Sequence, residues 1–149
     1  FLNQNVNKRF PPFLNLKKPG LTLGLQGLQF VATSTAAQSQ SLAYPHSLHT
    51  ISTNADNQDI VSMGTDAALI TAKVVENAYI VLTIELITLL QAVDFLGAEE
   101  KLSASSRTLY RVSRALFPKV YEDRPLTAEC ETLCELLTHS PKLDKALSL

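Results

Sequence analysis

The chain has 149 residues, a length typical of one domain with one hydrophobic core. Its 13 Lys and Arg against 14 Asp and Glu give a net charge of -1, which argues against nucleic-acid binding and against a membrane-surface role, since both need a basic face. Hydrophobic residues make up 46% of the chain and charged residues only 18%, which excludes intrinsic disorder and indicates a surface covered in part by other protein.

The first residue and the cysteine count bear on the origin of the chain. It begins at Phe1, and its only methionine is Met63. Because translation starts at Met, we expect these 149 residues to be a piece of a longer protein. Two cysteines and no recognisable signal peptide predict a reduced, cytoplasmic protein.

The first half of the chain predicts a loop and then a long helix. Residues 1–20 are expected to form a loop or short turns, because Pro11-Pro12 excludes a helix interior and Pro19-Gly20 marks a turn. Residues 21–43 are expected to form a helix within a stretch, residues 19–55, that has no Lys, Arg, Asp or Glu. Its many Gln, Thr and Ser residues argue against a membrane span, so the pattern favours a helix buried among protein neighbours. Gly24 and Gly27 near its start suggest close helix packing.

The second half predicts three more helices. Apolar residues recur at three- and four-residue spacing through residues 65–96, which predicts a second long helix whose later half is apolar nearly all round. Glu85, Gln91 and Asp94 interrupt the apolar run, so a transmembrane span is not expected. Residues 103–138 contain two short amphipathic patterns, 103–117 and 126–138. The predicted fold class is therefore all-α, a long-helix bundle.

Neither the glycines nor the metal-ligand residue types form a known chemical motif. The five glycines cannot form a phosphate loop. Cys130 and Cys134 lie four residues apart on a predicted helix, with only His139 near them, whereas a structural zinc site needs four ligands. We therefore expect helix packing for these thiols and no metal site. His46 and His49 have no neighbouring carboxylate and are expected to be exposed or hydrogen-bonded loop residues.

The polar run Asn54-Ala55-Asp56-Asn57-Gln58-Asp59 lies between the two long helices and has two interpretations. In the first, it is a polar loop that caps the second long helix, with Asp59 or Asp66 near the positive end of the helix dipole. In the second, it is a cluster of amides that faces a ligand. Amides both donate and accept hydrogen bonds without charge, so Asn57 and Gln58 would orient a zwitterionic or phenolic substrate.

Five motifs follow one another along roughly residues 8–138. They are Phe10-Pro11-Pro12-Phe13-Leu14, Gly24 to Tyr44 followed by Pro45-His46-Ser47, Asn57 to Gly64, Gln91-Ala92-Val93-Asp94, and Asp123-Arg124-Pro125-Leu126. Each is short, but in this order and spacing they resemble the aromatic amino-acid ammonia-lyase and aminomutase family. The resemblance implies the helical fold of that family, which is like that of fumarase and aspartase, and a homotetramer whose central bundle contains the two long helices.

The resemblance also implies a reaction. The family uses a methylideneimidazolone electrophile made from an internal Ala-Ser-Gly, and this sequence contains no Ala-Ser-Gly. The chain therefore resembles only the C-terminal portion of such an enzyme and would act when joined to its N-terminal part. No residue of this portion is expected to be catalytic.

Three amides are expected to bind the substrate: Gln58, Asn57 and Asn54. Gln58 resembles the phenylalanine and tyrosine enzymes, since the histidine enzymes carry Glu there, and Asn54 looks more like the bacterial tyrosine lyases and mutases. The resemblance thus implies elimination of ammonia from tyrosine or phenylalanine, or return of the amino group to the β-carbon. The alternative is a truncated, non-catalytic relative that serves as a helical oligomerisation or interaction module.

Overall fold

The computed structural model describes residues 2–18, 20–48, 50–58 and 60–139. These residues form five α-helices and no β-strand, which confirms the all-α prediction. The helices are α1 (Gln4–Asn7), α2 (Gln26–Leu42), α3 (Gly64–Leu96), α4 (Ala104–Leu116) and α5 (Thr127–His139). Short 3-10 turns lie at Pro12–Leu14, His46–Leu48 and Glu99–Lys101.

Helix α2 begins five residues later than the sequence predicts, and Gly24 is the reason. Gly24 has φ +59, a left-handed conformation that ends the preceding turn, and a Cβ at this position would lie 2.9 Å from the carbonyl oxygen of Phe13. The N–H of Leu25 donates to the same oxygen at 3.0 Å. Gly24 therefore serves close packing against the N-terminal loop, and not the helix–helix contact that we expected.

Helix α3 is 33 residues long and runs antiparallel to α2. It ends at Gly97, which has φ 58, and the N–H groups of Gly97 and Ala98 close the last turn on the carbonyls of Asp94 and Val93. By length and apolar composition alone, α3 would be long enough to cross a membrane. Its C-terminal half contributes to the core on one side, where even the polar Gln91 is fully buried.

The two shorter helices pack at the C-terminal half of α3. Ser103 caps α4 by accepting a hydrogen bond from the N–H of Ser106. Helix α5 contacts both α3 and α4. The hydrophobic core joins the N-terminal loop, helices α2, α3 and α5, and the segment after α4. Its buried members are Leu14, Leu25, Leu28, Ile84, Ile87, Ala92, Phe117, Val120 and Leu133.

Helix α2 is mostly uncovered in the single chain. Leu28 is its one buried residue, while Phe30 is 64% exposed and Val31 46% exposed. The sequence predicts a helix surrounded by protein, and this chain supplies only the side provided by α3 and the core. The cover expected on the other sides would have to come from other polypeptide.

Candidate functional site

The three predicted substrate-binding amides lie in one tight turn, residues 53–58, which we call the amide loop. Thr53 and Gln58 exchange backbone hydrogen bonds of 3.0 and 3.3 Å across its base, and the Oγ1 of Thr53 donates to Oε1 of Gln58 at 3.3 Å. Asn54, Ala55 and Asp56 all have positive φ, between 52° and 62°. Asn and Asp tolerate this left-handed region better than other residues with a Cβ, which explains why polar residues occupy most of the turn.

The side chains of Asn54, Asn57 and Gln58 are exposed in the single chain. The loop thus brings the three amides together, but within the described residues they do not line the large groove of the molecule. Their role in substrate binding stays a prediction. Asp59, the remaining polar residue of the run, lies outside the described residues.

The alternative interpretation, in which this polar run caps α3, finds limited support. The residue before α3 is Met63, which has φ 50 and makes no side-chain cap. Asp66 does lie in the first turn, where the helix dipole favours a carboxylate. Of the two loop histidines, His46 lies in the 3-10 turn after α2, and His49 lies outside the described residues.

A large groove of about 990 Å³ lies between α2, α3 and α5. Its walls are mainly apolar and include Leu28, Val31, Tyr79 and Ile80. Cys130 and Cys134 lie on the α5 side, half-buried, as the helix-packing expectation predicts. Burial, with Glu129 and Glu131 nearby, raises the pKa of the Cys130 thiol to about 11, so this thiol is a poor nucleophile at neutral pH. Among the described residues, no group of three or more His, Cys, Asp or Glu is placed to hold a metal ion.

Gln91 forms a hydrogen-bond hub at the C-terminal end of α3. Its Nε2 donates to the carbonyl of Val120 at 2.9 Å and to that of Leu14 at 3.4 Å. Its Oε1 accepts from the N–H of Val120 at 3.4 Å and from Arg114 at 3.3 Å. A fully buried amide is stable only when its polar atoms are paired, so Gln91 ties the N-terminal loop and the segment after α4 to one point on α3.

Asp94, one turn later on α3, holds a cluster of charged and phenolic groups. Its carboxylate, 2% exposed, pairs with Arg114 at 2.5 Å and with Lys119 at 2.9 Å, and the hydroxyl of Tyr110 donates to it. Burial raises the pKa of Tyr110 and the hydrogen bond to Asp94 raises it further. The same carboxylate, by accepting a hydrogen bond from Lys119, raises the pKa of that lysine.

The cluster around Gln91 and Asp94 was not predicted as a site, although a signal for it exists in the sequence. Two polar residues interrupt the apolar face of a long helix three positions apart, a spacing that puts both on one side of the helix. Asp123 plays a similar part, since its two carboxylate oxygens accept from the N–H of Leu23 at 3.0 and 3.1 Å. These residues hold the chain together, and their contacts are structural.

What the amide loop offers chemically is hydrogen bonding without charge. Asn and Gln each present donors and an acceptor, and neither takes up or releases a proton near neutral pH. The loop can therefore orient a polar ligand, but Asn54, Asn57 and Gln58 cannot act as a general base.

Comparison with known proteins gives consistent matches. A family model described as "Aromatic amino acid lyase" matches residues 1–115. The tyrosine ammonia-lyase of Cupriavidus metallidurans is 33% identical over 136 residues, which cover 91% of this chain and 26% of that protein. The histidine ammonia-lyase of Geobacillus kaustophilus is 36% identical over 137 residues, which cover 92% of this chain and 27% of that protein.

Solved structures match the same helices. The tyrosine aminomutase from Streptomyces globisporus superposes with a TM-score of 0.92 at 31% identity, covering 99% of this chain and 28% of that one. The Pantoea agglomerans phenylalanine aminomutase superposes with a TM-score of 0.86 at 34% identity, with the same coverage. The chain thus spans about a quarter of the length of the curated relatives that it matches.

Proposed function

Because the chain belongs to the aromatic amino acid lyase family, we propose that it works as part of a longer enzyme, an ammonia-lyase or aminomutase that acts on tyrosine or phenylalanine. Such an enzyme removes ammonia to give an arylacrylate, or returns the amino group to the β-carbon. The observation that carries the proposal is that the matched region, residues 1–115, contains the amide loop as one closed turn.

The amide loop supports the choice of substrate. The relatives that match the chain include both tyrosine and histidine ammonia-lyases, so family membership leaves the choice between them to individual residues. Gln58 is uncharged, and a neutral amide cannot stabilise an imidazolium as a carboxylate does. A phenol or phenyl ring needs no such charge. Gln58, with Asn57 and Asn54, would therefore line the pocket of a substrate with a neutral ring.

The residues of this chain do not supply the electrophile that the family implies. A methylideneimidazolone forms from Ala-Ser-Gly, which is absent from the 149 residues. The nearest approach to that tripeptide is Ser103-Ala104-Ser105. There, Ser103 is the N-cap of α4 and Ala104 is its first residue. The methylideneimidazolone would come from another part of the longer protein.

The exposed apolar side chains support assembly with other polypeptide. Phe30 is 64% exposed on α2, and Leu69 and Leu82 are 68% and 51% exposed on α3. An exposed apolar surface of this kind usually marks a protein interface. We propose that α2 and α3 lie in the central bundle of a cytoplasmic homotetramer, where this surface is covered.

The test uses the longer protein, with its N-terminal part joined to this chain. Release of cinnamate from phenylalanine, coumarate from tyrosine and urocanate from histidine is followed by ultraviolet absorbance. We expect an arylacrylate and little urocanate. Gln58→Ala should lower kcat/KM by about 10- to 100-fold, the loss that follows from removing one pocket hydrogen bond.

Two further variants sharpen the result. Gln58→Glu should favour histidine relative to the wild type, because a carboxylate pairs with imidazolium. Gln4→Ala is the matched control, since Gln4 is an exposed amide in α1, outside the amide loop. Unchanged turnover in Gln58→Ala would remove Gln58 from the site, and urocanate as the main product of the wild type would overturn the substrate assignment.

A second candidate function is a non-catalytic helical module for oligomerisation. The extent of apolar surface on α2 and α3 favours it, because this surface serves assembly whether or not the protein is an enzyme. It would replace the first proposal if the assembled protein releases no ammonia from any of the three amino acids.

A further inference from the structure

Asn77 makes a buried polar contact between the two long helices. It is 2% exposed, and its Nδ2 donates to Oε1 of Gln38 at 2.9 Å and to Oγ of Ser39 at 3.2 Å. Ser39 in turn donates to the carbonyl of Thr35, one turn earlier in α2. Both N–H groups of the Asn77 amide are therefore paired with α2.

A buried amide of this kind fixes how two helices are aligned along their length. If α3 slid along α2 by one turn, about 5.4 Å, both hydrogen bonds would be lost and the amide would face apolar side chains. The nearby groove walls, which include Leu28, Val31 and Ile80, are apolar and would tolerate such a slide far better. A single buried Asn is known to select one register between helices in this way.

The register decides where the amide loop lies. From Asn77 back to the start of α3 at Gly64 is about 20 Å of helix, whereas from Gln38 to the end of α2 at Leu42 is only about 6 Å. The first turns of α3 therefore project well beyond the end of α2. Residues 43–63 connect these two unequal ends, and the 3-10 turn His46–Leu48 contacts α3.

Several hydrogen bonds in the loop region join loop residues to one another. Thr53 pairs with Gln58, Ser52 donates to Asp56 at 2.5 Å, and the N–H of Val61 donates to Oγ1 of Thr50 at 2.9 Å. These bonds give the loop its shape, and its two ends are attached to α2 and α3.

We propose that Asn77 is a positioning residue of the substrate site: by pairing with Gln38 and Ser39 it sets the α2–α3 register and so places Asn54, Asn57 and Gln58. The inference rests on the proposed function, because it assumes that the amide loop binds the substrate.

The kinetic test compares two variants of the longer enzyme. Asn77→Leu keeps the number and branching of the side-chain heavy atoms and removes the interhelical hydrogen bonds. Thr83→Val is the matched control, since Thr83 is also 2% exposed on α3 but donates within its own helix, to the carbonyl of Tyr79 at 2.8 Å. At a temperature where both variants are folded, Asn77→Leu should raise KM by about tenfold with a smaller change in kcat, and Thr83→Val should stay within about twofold of wild type.

A second measurement reads the geometry without any activity. Spin labels at Thr33 and Glu85, both exposed in the single chain, report the α2–α3 register, and a pair at Thr33 and Ile51 reports the position of the loop. Native cysteines are first replaced. Asn77→Leu should shift or broaden both distance distributions by about 5 Å, one helical turn, and Thr83→Val should shift neither.

The two measurements separate the possible failures. Unchanged distances in Asn77→Leu would overturn the register role, and shifted distances with an unchanged KM would overturn the role in positioning the substrate site. If the wild-type enzyme has no lyase or mutase activity, the proposed function fails, while the spin-label distances still decide whether Asn77 sets the loop position.

Discussion

The side chain of Gln91 donates a hydrogen bond of 2.9 Å to the backbone carbonyl of Val120, 29 residues away, and accepts one from the N–H of the same residue at 3.4 Å. This amide–backbone pair resembles a rung of a β-ladder, made here by a side chain on a helix. It holds the segment between α4 and α5 against α3, so the position of α5 depends on one buried glutamine.

Replacement of Gln91 by leucine should therefore destabilise the protein. The change leaves the buried carbonyl and N–H of Val120 without partners, at a cost of about 2–4 kcal/mol. The measurement is urea denaturation of the assembled protein. Gln4→Leu, at an exposed position on α1, is the control and should change stability by less than about 0.5 kcal/mol. Equal stabilities for the two variants would show that the hub contributes little.

Stability should fall at alkaline pH through Tyr110 and Lys119. Their pKa values are raised in the folded protein above the ordinary values of 10.0 and 10.5, so the folded state holds these protons more tightly than the unfolded state. The resulting stabilisation is fully present below about pH 10 and is lost as the pH rises through the raised values. Melting temperatures measured between pH 8 and pH 12 test this.

The variant Tyr110→Phe separates the tyrosine from the lysine. It removes the proton that Tyr110 shares with Asp94, so stability near pH 8 should drop by about 1 kcal/mol while its decline above pH 10 becomes shallower. A decline as steep as that of the wild type would mean that Tyr110 does not contribute to the alkaline transition.

Cys130 should react slowly with alkylating reagents. Its pKa of about 11 is two units above the ordinary 9.0, so at pH 8 the thiolate fraction is lower by about a hundredfold. The rate of iodoacetamide labelling in a Cys134→Ala variant measures Cys130 alone. The same variant unfolded in urea is the reference and should react about a hundred times faster; a folded rate close to it would contradict the raised pKa.

The 149 residues expressed alone should associate. Leu82 on α3 is 51% exposed and Phe30 on α2 is 64% exposed, within a helix pair that has little charge to keep copies apart. Sedimentation velocity at several concentrations should show oligomers or aggregates. A stable monomer across that range would mean that these faces tolerate water.

The helical part of the fold could be predicted because its signals are local. The three- and four-residue spacing through residues 65–96 predicts α3, which the structure places at Gly64–Leu96. The predicted start of α2 was wrong by five residues. The sequence pattern is compatible with Gly24 inside the helix, and only the structure shows its close approach to the carbonyl of Phe13. That contact joins distant parts of the chain, and no local pattern reports it.

The candidate site was only partly accessible to sequence reasoning. The polar run around Asn57 and Gln58 stands out between two apolar helices, and the structure gathers its amides into one turn. Which way these side chains face a ligand depends on surfaces beyond the described residues. The Asp94 cluster escaped prediction for a related reason, since Arg114 and Lys119 reach it only after α4 folds back on α3.

The hydrogen bonds of Gln91 have a consequence for local unfolding. Its amide nitrogen is shared between Leu14, near the beginning of the chain, and Val120, near its end. Detachment of either segment weakens the anchorage of the other, which couples two regions that are remote in sequence. Opening of the segment at Leu14 should therefore make opening of the segment at Val120 easier, and the reverse.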